Sequence, residues 1–176
     1  MRDPFALLGI APRYALDPAG LRAAWMRRAA LAHPDADGGV DESAALNDAY
    51  RLLSDPIARA LALLELRGAP AGDDRALPPG FLLELVELRE RVDACVAASA
   101  EWSAIRGEVV ELRLRTLAEM GAALDAAPLD GRGIDPDAAQ SVRVAVNVVR
   151  SYDRVLEQID REAGGPPEPA RGGERS

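Results

Sequence analysis

The chain has 176 residues, of which 48% are hydrophobic and only 4% aromatic, and it carries a formal net charge of −8 at pH 7. That charge argues against nucleic acid, whose recognition needs a basic surface, and against adsorption to an anionic membrane. No apolar run is long enough to cross a bilayer. The short apolar stretch near the N-terminus, with no small-residue cleavage site after it, does not read as a signal peptide, and the single cysteine, Cys95, excludes an internal disulfide; a cytoplasmic protein is expected.

Alanine and leucine dominate, and the β-branched, aromatic-rich runs of strands are absent, so the expected fold class is all-α. "DPFALLGI" predicts a short helix, Phe5 to Leu8, closed by Gly9. Asp17 as N-cap and Pro18 at the first helical position open a second helix. Its stripe is Leu21, Ala24, Trp25, Arg28 and Leu31, in which Arg28 is an unexplained polar member, and it should end near Ala32, before Pro34. After the turn-forming "HPDADGG", a third helix, capped by Asp41 or Ser43, carries Leu46, Ala49, Tyr50 and Leu53. Pro56 ends that helix or starts the next, which bears Ile57, Leu61 and Leu64 and stops at Gly68.

"GAPAGDDRALPP", residues 68–79, has no periodicity and reads as a linker between a domain over 1–67 and another over 80–163. The second domain reads as three helices, at about 80–97, 101–126, and from Asp135 and Pro136 onward through Val142, Val146, Val149, Tyr152, Leu156 and Ile159. That spacing is bundle-like. Residues 164–176, rich in Pro, Gly and polar side chains, predict a disordered tail.

His33, the only histidine, opens a His33-Pro34-Asp35 tripeptide between two helices. Taken alone it can be a plain turn, set by Pro34, with Asp35 or Asp37 capping the next helix. One histidine and one distant cysteine cannot make a zinc site. A calcium loop counted from Asp35 has Val40 where glycine belongs and Leu46 where glutamate belongs. No nucleophile is paired with His33, and a chain without lysine has no phosphate-binding G-x-x-x-x-G-K loop. Neither a cofactor, a metal nor an enzymatic activity is expected.

The order of short helix, amphipathic helix, His-Pro-Asp and antiparallel amphipathic helix, carried by "PFALLGI", "HPD", "NDAYRLLSDP" and "RALALLELRG", resembles the J domain of DnaJ-type co-chaperones over about residues 4–67. The resemblance implies a helix hairpin presenting the loop, and a partner among the HscA/DnaK-class heat-shock chaperones, whose ATP hydrolysis is accelerated. The implied chaperone-binding residues are His33, Pro34 and Asp35, joined by Arg22, Arg27 and Arg28 on the preceding helix. Asp35 offers a carboxylate for a charge-assisted bond to arginine, and Pro34 pre-places it. Basic residues are common beside the tripeptide in that family; here Leu31 and Ala32 precede it and Ala36 and Asp37 follow. Arginines on a helix also serve as an ordinary solvated face.

The helix "FLLELVELRERV" is apolar on more than one stripe. Phe81, Leu85, Leu88, Val92 and Val96 suffice for a bundle core, which leaves Leu82, Leu83 and Val86 beside Glu87 and Glu90. Such a helix either is deeply buried or presents a docking patch. The alternative is that Leu82 and Leu83 pack on the first domain or the linker. With the linker and this motif included, residues 4–162 resemble the HscB family, J-type co-chaperones of bacterial iron–sulfur cluster assembly. The resemblance implies that the patch binds the scaffold protein IscU through Leu82, Leu83, Val86, Glu87, Arg89 and Glu90, with an aromatic residue of the last helix, Tyr152, or in another register Asn147. The same patch could pair with a second copy of the chain. Two alternatives stay open: a J protein for a different client, and a helical scaffold or oligomerisation module with an inactive loop.

Overall fold

The structure is a computed structural model that describes residues 2–31, 39–69, 75–96, 99–127 and 133–163. Among these residues every regular element is a helix, as composition led us to expect: α1 (Pro4–Leu8), α2 (Pro18–Leu31), α3 (Gly39–Ser54), α4 (Pro56–Leu66), α5 (Phe81–Ala94), α6 (Ala100–Ala126) and α7 (Pro136–Ala163). The predicted tail, residues 164–176, lies outside the described residues.

Four helices open at an Asp-Pro pair. The carboxylates of Asp3, Asp17, Asp55 and Asp135 accept backbone N–H groups of the first turns of α1, α2, α4 and α7, at 2.8 Å from Phe5, 2.8 Å from Gly20, 2.7 Å from Ala58 and 3.0 Å from Asp137. The proline takes a position where no intrahelical donor is needed. Pro56 therefore starts α4 rather than ending α3. Helix α3 begins at Gly39, so Asp41 and Ser43 lie inside the helix and are not its cap. Gly9 closes α1 at φ 67°, the left-handed conformation that glycine adopts without strain.

Two departures from the expected stripes concern α2 and α5. Leu21 and Ala24 are buried, but Leu31, at the end of α2, is 76% exposed. Arg28 turns toward α1, where its Nε donates to the Leu7 carbonyl at 2.8 Å and an Nη to that of Ala6. The Leu7 carbonyl is one that the end of a helix leaves without an intrahelical donor, while that of Ala6 also accepts the Gly9 N–H at 3.1 Å; the Leu7 acceptor accounts for an arginine at this point of the stripe. Helix α5 stops at Ala94, short of the expected end, because Cys95 is extended (φ −86°, ψ 148°). Val96 consequently leaves the α5 core stripe and is 78% exposed.

Helices α2 and α3 pack on one another and on α1, with Trp25 against Tyr50 (ring centroids 5.2 Å apart) and the Trp25 Nε1–H donating to Asn47 Oδ1 at 3.0 Å. These helices and α4 share one apolar cluster with part of the α6–α7 pair, including Leu117, Met120, Leu124, Val142, Val146 and Val149. Helix α4 is buried on more than one side, through Ala60, Ala62, Leu63 and Leu64, since it packs on α3 and also on α6 and α7. A second cluster joins α5 (Phe81, Leu85, Leu88, Val92) to Trp102, Ile105 and Val109 of α6 and to Val148, Tyr152, Val155 and Ile159 of α7. The α6–α7 pair thus contributes to both clusters. It is pinned across its surface by Arg106–Asp160 at 2.8 Å and Arg113–Asp153 at 2.5 Å.

The α1–α2 loop is fastened to α6. Asp125 accepts the backbone N–H of Tyr14 at 2.6 Å and of Ala15 at 3.0 Å. The Tyr14 ring lies on Gly121, and the Arg59 guanidinium, from α4, stands 5.3 Å from the ring centroid while donating to the Tyr14 carbonyl at 2.8 Å. Burial raises the pKa of the Tyr14 phenol and lowers that of the Arg59 guanidinium. The neighbouring Arg67 guanidinium, at the end of α4, is buried too and is lowered for the same reason, with Asp125 opposing the shift.

Candidate functional site

Two surfaces carry the candidate residues. The first is on α2. Arg22 and Arg27 are exposed, with Met26, 54% exposed, on the same helix. Arg28, grouped with them from the sequence, is committed to the α1 carbonyls. His33, Pro34 and Asp35 lie outside the described residues.

The second surface is on α5. At 100° per residue, Leu82, Leu83, Val86, Glu87 and Glu90 fall opposite Phe81, Leu85, Leu88 and Val92. The second set is buried in the bundle. The first stands in solvent: Leu82 and Leu83 are each 64% exposed and Val86 50%, with Glu87, Arg89 and Glu90 exposed around them. Among the described residues, Leu82 and Leu83 are not covered by the first helices or the linker. Three large apolar side chains on a face turned away from the core are a candidate contact surface.

Tyr152 is only 7% exposed and meets Phe81 edge-on, with centroids 5.5 Å apart and an interplanar angle of 80°. Burial raises its pKa, and the charge of Glu84 adds to the shift. Asn147 is used differently: its Nδ2 donates to the Ala76 carbonyl at 3.1 Å, tying the segment before α5 to α7. Beside the exposed stripe, Phe81, Leu88, Leu112 and Tyr152 line a cavity of about 300 Å³ between α5 and α6. Glu84, Arg91 and Glu108 also border it. The sequence reading missed this cavity; Leu112 and Glu108 lie on α6, and no spacing within α5 points to them. At one end of it, Arg91 holds Glu108 with two bonds, at 3.1 and 2.7 Å. The bond from Arg91 lowers the pKa of Glu108.

Among the described residues no helix is long and apolar enough to cross a membrane. No family model matches the chain. Curated relatives do. A protein of Burkholderia thailandensis described as a co-chaperone protein HscB homolog is 34% identical over 170 residues, which is 89% of this chain and 94% of that one. The homolog of the same description in Bordetella pertussis is 36% identical over 155 residues, 80% of this chain and 86% of that one. The fold is shared with the crystal structure of human co-chaperone protein HscB, at a TM-score of 0.74 and 22% identity over 91% of this chain and 81% of that one. The chaperone HscB from Vibrio cholerae superposes with a TM-score of 0.64 and 27% identity, over 89% of this chain and 99% of that one. With relatives of this identity along nearly the whole chain, and a helical hairpin joined to a helical bundle as its architecture, this protein belongs to the HscB family of J-domain co-chaperones.

Proposed function

We propose that this protein stimulates ATP hydrolysis by an HscA/DnaK-class heat-shock chaperone and delivers to it an IscU-type scaffold protein during iron–sulfur cluster assembly. The observation that carries the reading is the exposed Leu82–Leu83–Val86 face of α5, set opposite the bundle core and bordered by Glu87, Arg89 and Glu90. An apolar stripe rimmed by charge suits a protein partner. Tyr152, mostly buried behind α5, supports that helix and lines the cavity beside its exposed face.

The chaperone docks at the other end of the chain. His33, Pro34 and Asp35 engage it, with Asp35 as the carboxylate that meets a chaperone arginine. Arg22 and Arg27 on the outer side of α2 attract an acidic chaperone surface and speed the encounter. Arg28 holds α1 against α2 and so keeps the helices that flank the loop in place. The protein makes and breaks no covalent bond. Holding scaffold and chaperone on one chain raises the effective concentration of one at the other. Residues 1–67 then act as the chaperone-docking module and 80–163 as the scaffold-docking module, joined through residues 68–79, in the cytoplasm.

The test is ATP turnover by the HscA-type chaperone of the same organism, with and without this protein and its scaffold. Wild type is expected to stimulate, and scaffold to add to the effect. Asp35→Asn should abolish stimulation. Leu82→Ala combined with Leu83→Ala should remove only the scaffold's contribution. Stimulation of a general DnaK-type chaperone alone would point to a different client.

A further inference from the structure

The cavity between α5 and α6 adjoins the α5 stripe, yet of the residues proposed to contact scaffold on that stripe only Glu87 lines it. Its apolar lining is Phe81, Leu85, Leu88, Leu112 and Tyr152, and its charged lining is Glu84, Glu87, Arg91 and Glu108. At about 300 Å³ it is at the small end of ligand-binding sites, a size that suits one side chain rather than a cofactor. Glu84 and Glu87 stand at its edge, both exposed and neither in an ion pair among the described residues. Glu108 across the opening is already neutralised by Arg91. Among the lining residues the unpaired charge is therefore negative, with the Arg115 cation of α6 close enough to act on Tyr152, on a chain whose net charge is −8.

Glu87 belongs to both features. On the helix it sits between Leu83 of the exposed stripe and the Glu84 and Arg91 that border the cavity. A protein lying over the stripe reaches the cavity without leaving the surface.

We propose that this cavity receives one apolar side chain of the scaffold protein docked on α5, while an arginine or lysine adjacent to it in that partner pairs with Glu84 and Glu87. The assignment rests on the reading of α5 as the scaffold-docking face. It adds Glu84 and Leu112 to that face and gives the partner a chemistry: a large apolar residue neighbouring a cation. The apolar group leaves water and the carboxylates stay at the edge, where they select for charge more than they add affinity.

The test is calorimetric titration of the full chain with the IscU-type scaffold, for wild type, Glu84→Arg, Leu112→Phe, and Leu82→Ala combined with Leu83→Ala. Glu84→Arg should weaken binding by about tenfold or more, and less at high salt, since it reverses an exposed charge without touching the core. Leu112→Phe should weaken it comparably by filling the cavity; if that variant does not fold, Glu84→Arg still decides. If only the Leu82/Leu83 change weakens binding, the cavity is not used and the proposal falls while the docking face stands. If no variant matters, or wild type does not bind, the docking face falls as well. If wild type instead forms a dimer that Glu84→Arg breaks, the occupant is a second copy of the chain and the proposal is overturned.

Discussion

The ring of Tyr14 lies on Gly121 so closely that a methyl group there would overlap ring carbons. This contact joins the α1–α2 loop to α6. Gly121→Ala is expected to cost about 1–3 kcal/mol of stability, the usual range for overpacking a closed contact. Urea denaturation measures it. In the Tyr14→Leu background the same change should cost clearly less, because the ring that it strikes is gone.

Asp125 accepts two backbone N–H groups from the same loop. Asp125→Ala leaves both without their partner, one of them partly buried, so a loss of about 1–2 kcal/mol is expected. Asp125→Asn keeps one acceptor and should lose less. Hydrogen exchange at Tyr14 and Ala15 should quicken in both variants.

The three arginines of α2 should separate by experiment. Arg28→Met removes donors from the Leu7 and Ala6 carbonyls and should lower stability by about 1 kcal/mol. Arg22→Met and Arg27→Met, on exposed side chains, should change it by less than about 0.5 kcal/mol. For chaperone stimulation the order should reverse, with Arg22 and Arg27 showing the larger, salt-sensitive loss of association rate.

Acid should loosen the bundle. The side-chain bond from Arg91 lowers the pKa of Glu108, and that from Arg106 lowers the pKa of Asp160. A carboxyl that titrates lower when folded contributes stability that is fully present above its unfolded pKa, about 4, and is lost as pH falls through the folded value. The melting temperature should be level from about pH 7 to 5 and fall below about pH 4. Both pairs are at the surface, so the contribution is small and weakens further in salt. Replacing Arg91 and Arg106 together by glutamine should flatten the acid limb.

Leu82 and Leu83 should be replaceable at no cost to the fold. Both are largely exposed, so the double change to alanine should move the unfolding midpoint by less than about 0.5 kcal/mol. A dye that reports exposed apolar surface should bind the variant less.

The starts of α2 and α7 were legible because their signal is local, an aspartate cap followed by proline; at Asp55 and Pro56 the same pair also suits a helix end, and α3 begins before either of its expected caps. The amphipathic face of α7 was legible for the same reason, and Val142, Val146, Val149, Tyr152 and Ile159 are buried as their spacing implied. The end of α5 was not. Val96 continues the apolar spacing, and only the extended backbone at Cys95 shows that the helix has stopped. Helix α4 misled in another way. The stripe Ile57, Leu61, Leu64 assumes one buried side, while Ala60, Ala62 and Leu63 are buried as well, because helices distant in sequence cover α4 from elsewhere. Arg28 looked like a blemish since its acceptors belong to another helix. Tyr14, Gly121 and Asp125 are brought together across more than a hundred positions, and no periodicity signals such a meeting. Of the candidate site, the exposed α5 face could be read from an excess of apolar residues on one helix; the cavity beside it could not, as Glu108, Leu112 and Tyr152 in its lining come from α6 and α7.

The α6–α7 pair has a thermodynamic consequence. Since it supplies side chains to both apolar clusters, neither cluster can melt without stripping cover from the other. The folded chain is then one cooperative unit, and anything that binds only its folded form stabilises all of it by mass action. Scaffold held on α5 would raise the melting temperature of α2 and α3 with no movement passing between them.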